Sequence, residues 1–273
     1  DAGGHKLHLR VMGAEHPGPT VILETGSGSF SSAWGWVQPE VAKFARVVSY
    51  DRAGLGWSEP GPQPRDAHQI ARELHTALHN AGIEGPYILV GHSYGGHIIR
   101  VFTGMYSDEV AGLVFVDSSV PEHVDTMPVP VMSTVLAGVR NLAYFGVLRA
   151  LPLANLMVGE MPLESKAEIR ALTATERHWE ATRAEIRALP AAAEQVRAAG
   201  SFGDLPLVVL SAPGSKQEQW EGWQQSLVGL SARGERRIAS AGHNALAVTE
   251  SGGAEVAATI RDVIQMVEPA AEP

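Results

Sequence analysis

The amino-acid sequence predicts an α/β fold in which a mostly parallel, twisted sheet carries helices on both faces. Short apolar runs such as 20–23, 47–50 and 87–90 have the length and composition of buried strands. Helical patterns lie between several of these runs, and strands that alternate with helices form a parallel sheet covered on both sides. The alternation stops between Pro121 and about Asp204, where only helical patterns are found.

The other elements are predicted in chain order. The pattern indicates an early strand at 5–12 and an amphipathic helix at 66–81, which Gly82 ends. Its apolar side chains fall close to one face: Ile70, Leu74, Ala77, Leu78 and Ala81. Further strands are expected at 112–116, 205–211 and 236–239, followed by a C-terminal helix at about 248–267.

Composition sets limits on the class of protein. With 273 residues, of which 45% are hydrophobic, the chain can bury one large core. The formal net charge of −9 and the lack of a long basic run argue against nucleic acid or an anionic membrane as a partner. No uninterrupted apolar stretch reaches the length of a membrane-spanning helix. The absence of cysteine excludes disulfides, thiol catalysis and cysteine metal sites.

The start of the chain bears on its location. There is no signal-like segment, which favours the cytoplasm. The first residue is Asp1 rather than Met, so processing could have removed a leader, and a secreted or periplasmic location stays open. The sequence leaves the oligomeric state open.

The most informative motif is G-x-S-x-G, present as Gly91-His92-Ser93-Tyr94-Gly95 between a predicted strand and a predicted helix. A sharp strand-to-helix turn holds a serine hydroxyl clear of the backbone, and the flanking glycines avoid side-chain clashes. The following helix directs its N–H groups and positive dipole end at the reacting centre. The motif therefore predicts that Ser93 is a nucleophile.

A base for this nucleophile is expected later in the chain. His243 follows the predicted strand 236–239 and precedes the C-terminal helix. A histidine at such a strand end can take the Ser93 proton on attack and return it to the leaving group. The alternative is a surface or capping histidine, which we expect for most of the other ten.

Three carboxylates are candidates for the acid that orients this histidine. The strand 205–211 runs into a loop with no carboxylate before Glu218. The earlier strand 112–116 ends in Asp117, and catalytic side chains collect at such C-terminal strand ends. Asp117 is therefore the leading candidate, with Glu218 and Glu122 as alternatives. The structural alternative for Asp117 is a cap on the Ser118-Ser119 turn.

Two backbone donors are needed to stabilise an oxyanion. The Tyr94 N–H, directly after the nucleophile, is the first. The strand ending at Glu24 leads into Gly26-Ser27-Gly28, which makes the Ser27 N–H the expected second donor. A phosphate-binding loop is the competing interpretation, but no Lys follows and the P-loop spacing is absent.

Four segments are informative when taken together: Glu24-Thr25-Gly26-Ser27-Gly28, Tyr50-Asp51-Arg52-Ala53-Gly54-Leu55-Gly56-Trp57-Ser58, Gly91-His92-Ser93-Tyr94-Gly95-Gly96 and Gly242-His243. In their order and spacing they resemble the α/β-hydrolase fold superfamily, and within it the capped, lipase- and esterase-like serine hydrolases. The resemblance implies a helical cap inserted after the sixth strand and a packing role for residues 51–58. Two departures matter: Thr25-Gly26 stands where many relatives have His-Gly, and the carboxylate expected after the penultimate strand is missing.

The predicted division is a core of residues 1–120 and 204–273 with a helical cap at 121–203. The first part of the cap, 129–161, is rich in apolar side chains, and we expect it to roof the site with Leu142 and Phe145 touching substrate. Flexible Met132, Met157 and Met161 would help it adapt. The second part, 165–189, has a narrow stripe typical of one packed helix ended by Pro190 (Ile169, Leu172, Trp179, Ile186 and Leu189).

These expectations combine into a functional hypothesis. The sequence predicts hydrolysis of a carboxylic ester of a small to medium hydrophobic substrate through an acyl-enzyme, with Ser93, His243 and Asp117 as a triad. An Asp at position 93 would have indicated a dehalogenase or an epoxide hydrolase. Alternatives are cleavage of a lactone or a C–C bond, or a ligand-binding protein with slow turnover. The histidines at 92, 97 and 123 lack metal-ligand spacing, and without a dinucleotide fingerprint no cofactor is expected.

Overall fold

A computed structural model describes residues 1–151, 158–213 and 218–267, without the Glu218 side chain. The described residues form one seven-stranded sheet in the order β1-β3-β2-β4-β5-β6-β7, in which β1 is antiparallel to β3 and all other pairs are parallel. The strands are β1 Leu9–Met12, β2 Thr20–Glu24, β3 Val47–Tyr50, β4 Tyr87–His92, β5 Val110–Val116, β6 Leu207–Ser211 and β7 Gly234–Ile238. The predicted fold class is confirmed.

Strand order places a crevice at the centre of the sheet. From β2 the sheet extends in one direction to β3 and then β1, and in the other direction through β4 to β7. In open α/β sheets, ligands bind outside the carboxyl ends of the strands where the order reverses, here between β2 and β4. Glu24 is paired with Gly91 at those ends, so the loop after β2 lies beside the turn after β4.

Helices cover both faces of the sheet. Alternate strand residues point to opposite sides, and in the central strands both sets are apolar and buried. Ile22, Val48 and Leu89 pack with α2 (Ala67–Asn80) and α3 (Gly95–Met105) on one face. Val21, Val47 and Val90 pack with α1 (Val37–Val41) and α11 (Glu250–Val267) on the other. Asp66 caps α2 by accepting a hydrogen bond from the Gln69 N–H at 2.9 Å. The helix therefore begins one residue after the predicted start at 66.

Between β5 and β6 the described residues are helical. The helices are α4 Pro121–Asp125, α5 Val129–Tyr144, α6 Val147–Ala150, α7 Leu163–Thr173 and α8 Glu176–Ala198. This insertion follows the fifth strand of the described residues, whereas the resemblance to the family predicted an insertion after the sixth strand. After β6 come α9 Glu218–Val228, β7, α10 Ala245–Val248 and α11. Within the described ranges, no helix has both the length and the apolar character needed to cross a membrane.

The prediction of one helix over 165–189, ended by Pro190, is wrong in two respects. The segment is divided between α7 and α8, because Thr175 adopts an extended backbone and its side chain accepts from the His178 N–H. Helix α8 then continues through Pro190 to Ala198. A proline inside a helix costs about 3 kcal/mol. Apolar side chains buried on both sides of it offset that cost: Ile186, Leu189, Ala192 and Val196.

Candidate active site

Ser93 lies on a strained turn between β4 and α3. Its φ is 53°, in the left-handed region that non-glycine residues rarely adopt. The turn is held because the Ser93 carbonyl accepts hydrogen bonds from the N–H groups of Gly96 at 3.1 Å and Ser119 at 3.0 Å. A Cβ at Gly91 would lie 2.7 Å from the Gly95 carbonyl carbon, which explains why the motif needs glycine there.

His243 and Asp117 form a hydrogen-bonded pair beside this turn. The distance from His243 Nδ1 to Asp117 Oδ2 is 2.6 Å, and Asp117 is 2% exposed. Burial alone would raise the pKa of Asp117, but hydrogen bonds from His243, Trp220 and the Ala212 amide lower it below its ordinary value. The carboxylate therefore stays ionised, and it fixes the imidazole with Nε2 as the free nitrogen.

The structure separates the three carboxylates predicted as candidates. Asp117 is at the end of β5 and contacts His243. Glu122 is exposed on α4. The Glu218 side chain lies outside the described residues. Only Asp117 is thus seen in contact with the histidine among the described carboxylates.

Two further residues hold the pair, and sequence reasoning missed them. The indole Nε1–H of Trp220 and the backbone N–H of Ala212 each donate to Asp117 Oδ1 at 3.0 Å. Asp117 itself has a φ of 41°. The Trp220 contact joins residues 103 positions apart, and a tryptophan on a helical segment carries no local signal of such a contact.

His92 supports the loop that carries His243. The distance from its Nε2 to the His243 carbonyl oxygen is 3.0 Å, and since a carbonyl only accepts, Nε2 carries the proton. Burial lowers the pKa of His92 to about 4, with the positive charge that His243 can acquire as a smaller cause. His92 is therefore neutral near pH 7 and acts as a fixed donor.

The two predicted oxyanion donors lie on loops next to Ser93. A Cβ at Gly26 would lie 3.3 Å from Ser93 Cβ, so the loop after β2 passes directly beside the serine. Neither the Tyr94 N–H nor the Ser27 N–H donates to another backbone atom of the described residues. Both amides are thus available to a ligand oxygen.

A buried ion cluster lies behind this loop. Arg52, fully buried, donates to Glu24 Oε1 at 2.6 Å, and Tyr50 donates to the other oxygen of Glu24. Burial alone would lower the pKa of Arg52, but Glu185 and Glu24 raise it, so the guanidinium stays charged. Burial raises the pKa of Glu24 despite the opposing effect of Arg52. Sequence analysis assigned residues 51–58 to packing and missed this role of Arg52.

A cavity of about 540 Å³ opens over Ser93 and His243. Its apolar walls come from both the sheet side and the insertion: Phe30, Trp34, Met161, Ile169, Ala247 and Val248. Among the described residues, no three histidine or carboxylate side chains lie together in a way that would hold a metal ion. A serine hydroxyl and a histidine ring thus face one cavity whose walls are partly apolar.

The expected contact of Leu142 and Phe145 with substrate stays a prediction. Neither is among the described residues that line the cavity, and they are 45% and 76% exposed near the C-terminal end of α5. The apolar excess of 129–161 does not by itself distinguish a cavity wall from an exposed helix face. Of the three methionines, Met161 lines the cavity, Met132 packs against the core and Met157 lies outside the described residues.

The strand order, the strained serine and the Asp117–His243 pair define the class. The chain belongs to the alpha/beta hydrolase fold family, whose sequence pattern it matches over residues 19–246. An AB hydrolase superfamily protein from Gibberella zeae is 35% identical over 133 residues, which are 47% of this chain and 41% of that protein. The chain spans 19–41% of the length of the first three curated relatives it matches.

Solved structures give the same fold. A thermophilic esterase from Thermogutta terrifontis has a TM-score of 0.68 at 19% identity, covering 97% of this chain and 95% of the esterase. The enol-lactonase from Burkholderia xenovorans has a TM-score of 0.69 at 19% identity, covering 96% of this chain and 97% of the lactonase. Identities this low show a shared fold and no more.

Proposed function

We propose that this chain is a serine hydrolase that cleaves a carboxylic ester of a small to medium hydrophobic substrate through an acyl-enzyme. The observation that supports this most directly is the placement of three groups at one site. Ser93 and His243 line one cavity, and buried Asp117 binds the histidine nitrogen that faces away from the reaction. A nucleophile, a base and an ionised orienting group are the parts that acyl transfer needs.

The first half of the reaction forms the acyl-enzyme. Ser93 Oγ attacks the ester carbonyl carbon while His243 Nε2 takes the hydroxyl proton. The carbonyl oxygen becomes an oxyanion, which the Tyr94 and Ser27 N–H groups stabilise. When the intermediate collapses, the C–O bond to the leaving alcohol breaks and His243 returns the proton to that oxygen. Asp117 stabilises the imidazolium between these steps.

The second half of the reaction releases the acid. A water molecule gives a proton to His243 Nε2 as its oxygen attacks the acyl carbon, and the same two amides hold the new oxyanion. The bond to Ser93 Oγ then breaks, the serine regains its proton from His243, and the carboxylic acid leaves.

The substrate class follows from the cavity. Aromatic and aliphatic side chains alternate on its walls with uncharged polar ones, and none of the described lining residues is Lys, Arg, Asp or Glu. An apolar acyl or alcohol group is favoured over a charged one, because burial of an unpaired charge costs free energy. Met161, Ile169 and Thr173 lie in the insertion, which supports a cap at 121–203 over a core of 1–120 and 204–273.

Steady-state hydrolysis of p-nitrophenyl acetate, butyrate and octanoate tests the proposal. We expect many turnovers per protein molecule, and a lower rate for a p-nitrophenyl ester whose acyl group bears a free carboxylate. A burst of one product equivalent without turnover would contradict the proposal and indicate a binding protein. Faster cleavage of an unsubstituted lactone than of any open ester would move the assignment to lactones.

A further inference from the structure

Glu185 reaches from the insertion to the loop beside Ser93. It lies within α8, is 1% exposed, and accepts hydrogen bonds from the Gly28 N–H at 2.9 Å and the Ser27 hydroxyl at 3.3 Å. The helix packs tightly here, because a Cβ at Gly28 would lie 2.7 Å from Thr182 Cγ2. Gly28 has a φ of 67°, so glycine is required for both space and backbone conformation.

The same carboxylate holds Arg52. Arg52 donates from Nε to Glu185 Oε1 at 2.6 Å and from Nη2 to Oε2 at 3.1 Å. Arg52 in turn donates to the carbonyl oxygens of Thr25 at 2.9 Å and Gly26 at 2.7 Å. One glutamate therefore orders the loop directly and through a fully bonded guanidinium.

These contacts fix the direction of the Ser27 N–H. The Gly26 carbonyl and the Ser27 N–H belong to one trans peptide plane, so they point in opposite directions. Arg52 holds the carbonyl oxygen on the buried side, and the N–H is thereby directed away from Arg52, which does not line the cavity. The Glu185 bond to the Gly28 N–H fixes the next peptide plane in the same way.

We propose that Glu185 is a positioning residue that makes the oxyanion loop depend on the cap helix α8. This inference rests on the proposed hydrolase function, since it assigns the Ser27 N–H to the oxyanion. Displacement of α8 removes the carboxylate from both Arg52 and Gly28, and the donor loses its fixed direction. The insertion then contributes to stabilisation of the transition state as well as to the cavity walls.

The alternative role for Glu185 is to neutralise Arg52 and nothing more. Two variants separate the roles. Glu185→Gln keeps the shape but loses the charge and places an NH₂ group against N–H donors. Glu185→Asp keeps the charge, but it is one methylene shorter and cannot reach both Arg52 and Gly28. Glu194→Gln, exposed on the same helix, is the matched control.

The readouts are kcat and KM for p-nitrophenyl butyrate and the Ki of an alkylboronic acid, whose tetrahedral Ser93 adduct resembles the intermediate. We expect kcat to fall by about 10- to 100-fold in both Glu185 variants, with KM changed less than about threefold, because a misdirected donor weakens transition-state binding. The boronate Ki should rise by the same factor. Glu194→Gln should match the wild type.

Full activity in Glu185→Asp would overturn the proposal, since it would assign Glu185 to charge balance. The proposal would also be overturned if Glu185→Gln lost stability while its kcat per titrated active site stayed unchanged. If that variant fails to fold, Glu185→Asp and the hydrogen-exchange rate of the wild-type Gly28 amide decide, and fast exchange contradicts the contact. Lack of ester turnover or of Ser93 labelling in the wild type would instead refute the proposed function.

Discussion

At the scale of single residues, the surroundings of Asp117 fix both its position and its charge. It is buried, has a left-handed backbone conformation, and receives donors from His243, Trp220 and Ala212. Each donor stabilises the ionised form, and together they outweigh the desolvation that raises a buried carboxyl pKa. A carboxylate held this way can keep one tautomer of His243 and stabilise its cation.

Replacement of Asp117 by Asn tests this role. The shape is kept, but the charge that stabilises the imidazolium is lost, so we expect kcat to fall by about 10²–10⁴-fold with the protein still folded. Rates should be compared at equal folded fraction, measured by circular dichroism. Glu122→Gln, at an exposed position, is the control and should retain kcat. If Asp117 only capped a turn, its replacement would leave kcat intact and cost about 0.5–2 kcal/mol of stability.

At the scale of elements, the insertion contributes to the site through two helices with different roles. Helix α7 places Ile169 and Thr173 on the cavity wall, and α8 carries Glu185 to the loop beside Ser93. Helix α5 instead exposes part of its apolar side chains. Cavity shape and loop order therefore depend on separate parts of the insertion.

Ile169→Ala tests the part that shapes the cavity. Loss of the side chain enlarges the cavity, so the preference of kcat/KM should move toward longer acyl chains. Because Ile169 is buried, the free energy of unfolding should also fall by about 2–5 kcal/mol. Leu142→Ala, at an exposed position of α5, should leave stability almost unchanged, and a shift in its chain-length profile would support the predicted contact of Leu142 with substrate. An unchanged profile in Ile169→Ala would contradict the assigned wall.

The elements also show what the sequence can predict. Ser93 and its turn were predictable because strand, glycines and helix are adjacent in the chain, and strand ends located His243 and Asp117. Arg52 and Glu185 were not, because their contact joins positions 133 apart and depends on how α8 lies over the sheet. The continuation of α8 through Pro190 was missed for a similar reason: burial on both sides outweighs a local helix-breaking preference.

At the scale of the whole molecule, three buried histidines couple folding to pH. Burial lowers the pKa of His92 to about 4, of His97 to about 3 and of His178 to about 4. In the unfolded chain each titrates near ~6.5. Between about pH 4 and 6.5 the unfolded chain therefore binds more protons than the folded one.

The free energy of unfolding should consequently fall as pH is lowered from about 6.5 toward 4, and change little from this cause above 7. Near pH 5 the three groups together give a slope of up to ~4 kcal/mol per pH unit. Urea unfolding at several pH values measures it. His97→Gln should reduce the slope by about 1.4 kcal/mol per pH unit, whereas His79→Gln, at an exposed position, should not. Equal stability at pH 7 and 5 would contradict the account.

The central claim is that Ser93 is the nucleophile, and covalent labelling tests it most directly. An alkyl fluorophosphonate should add one adduct per chain, located by mass spectrometry on the peptide that contains Ser93. Ser93→Ala should abolish the adduct and lower kcat for p-nitrophenyl butyrate by about 10⁴-fold or more, since only binding and oxyanion stabilisation remain. An adduct on another serine, or full activity in Ser93→Ala, would contradict the mechanism.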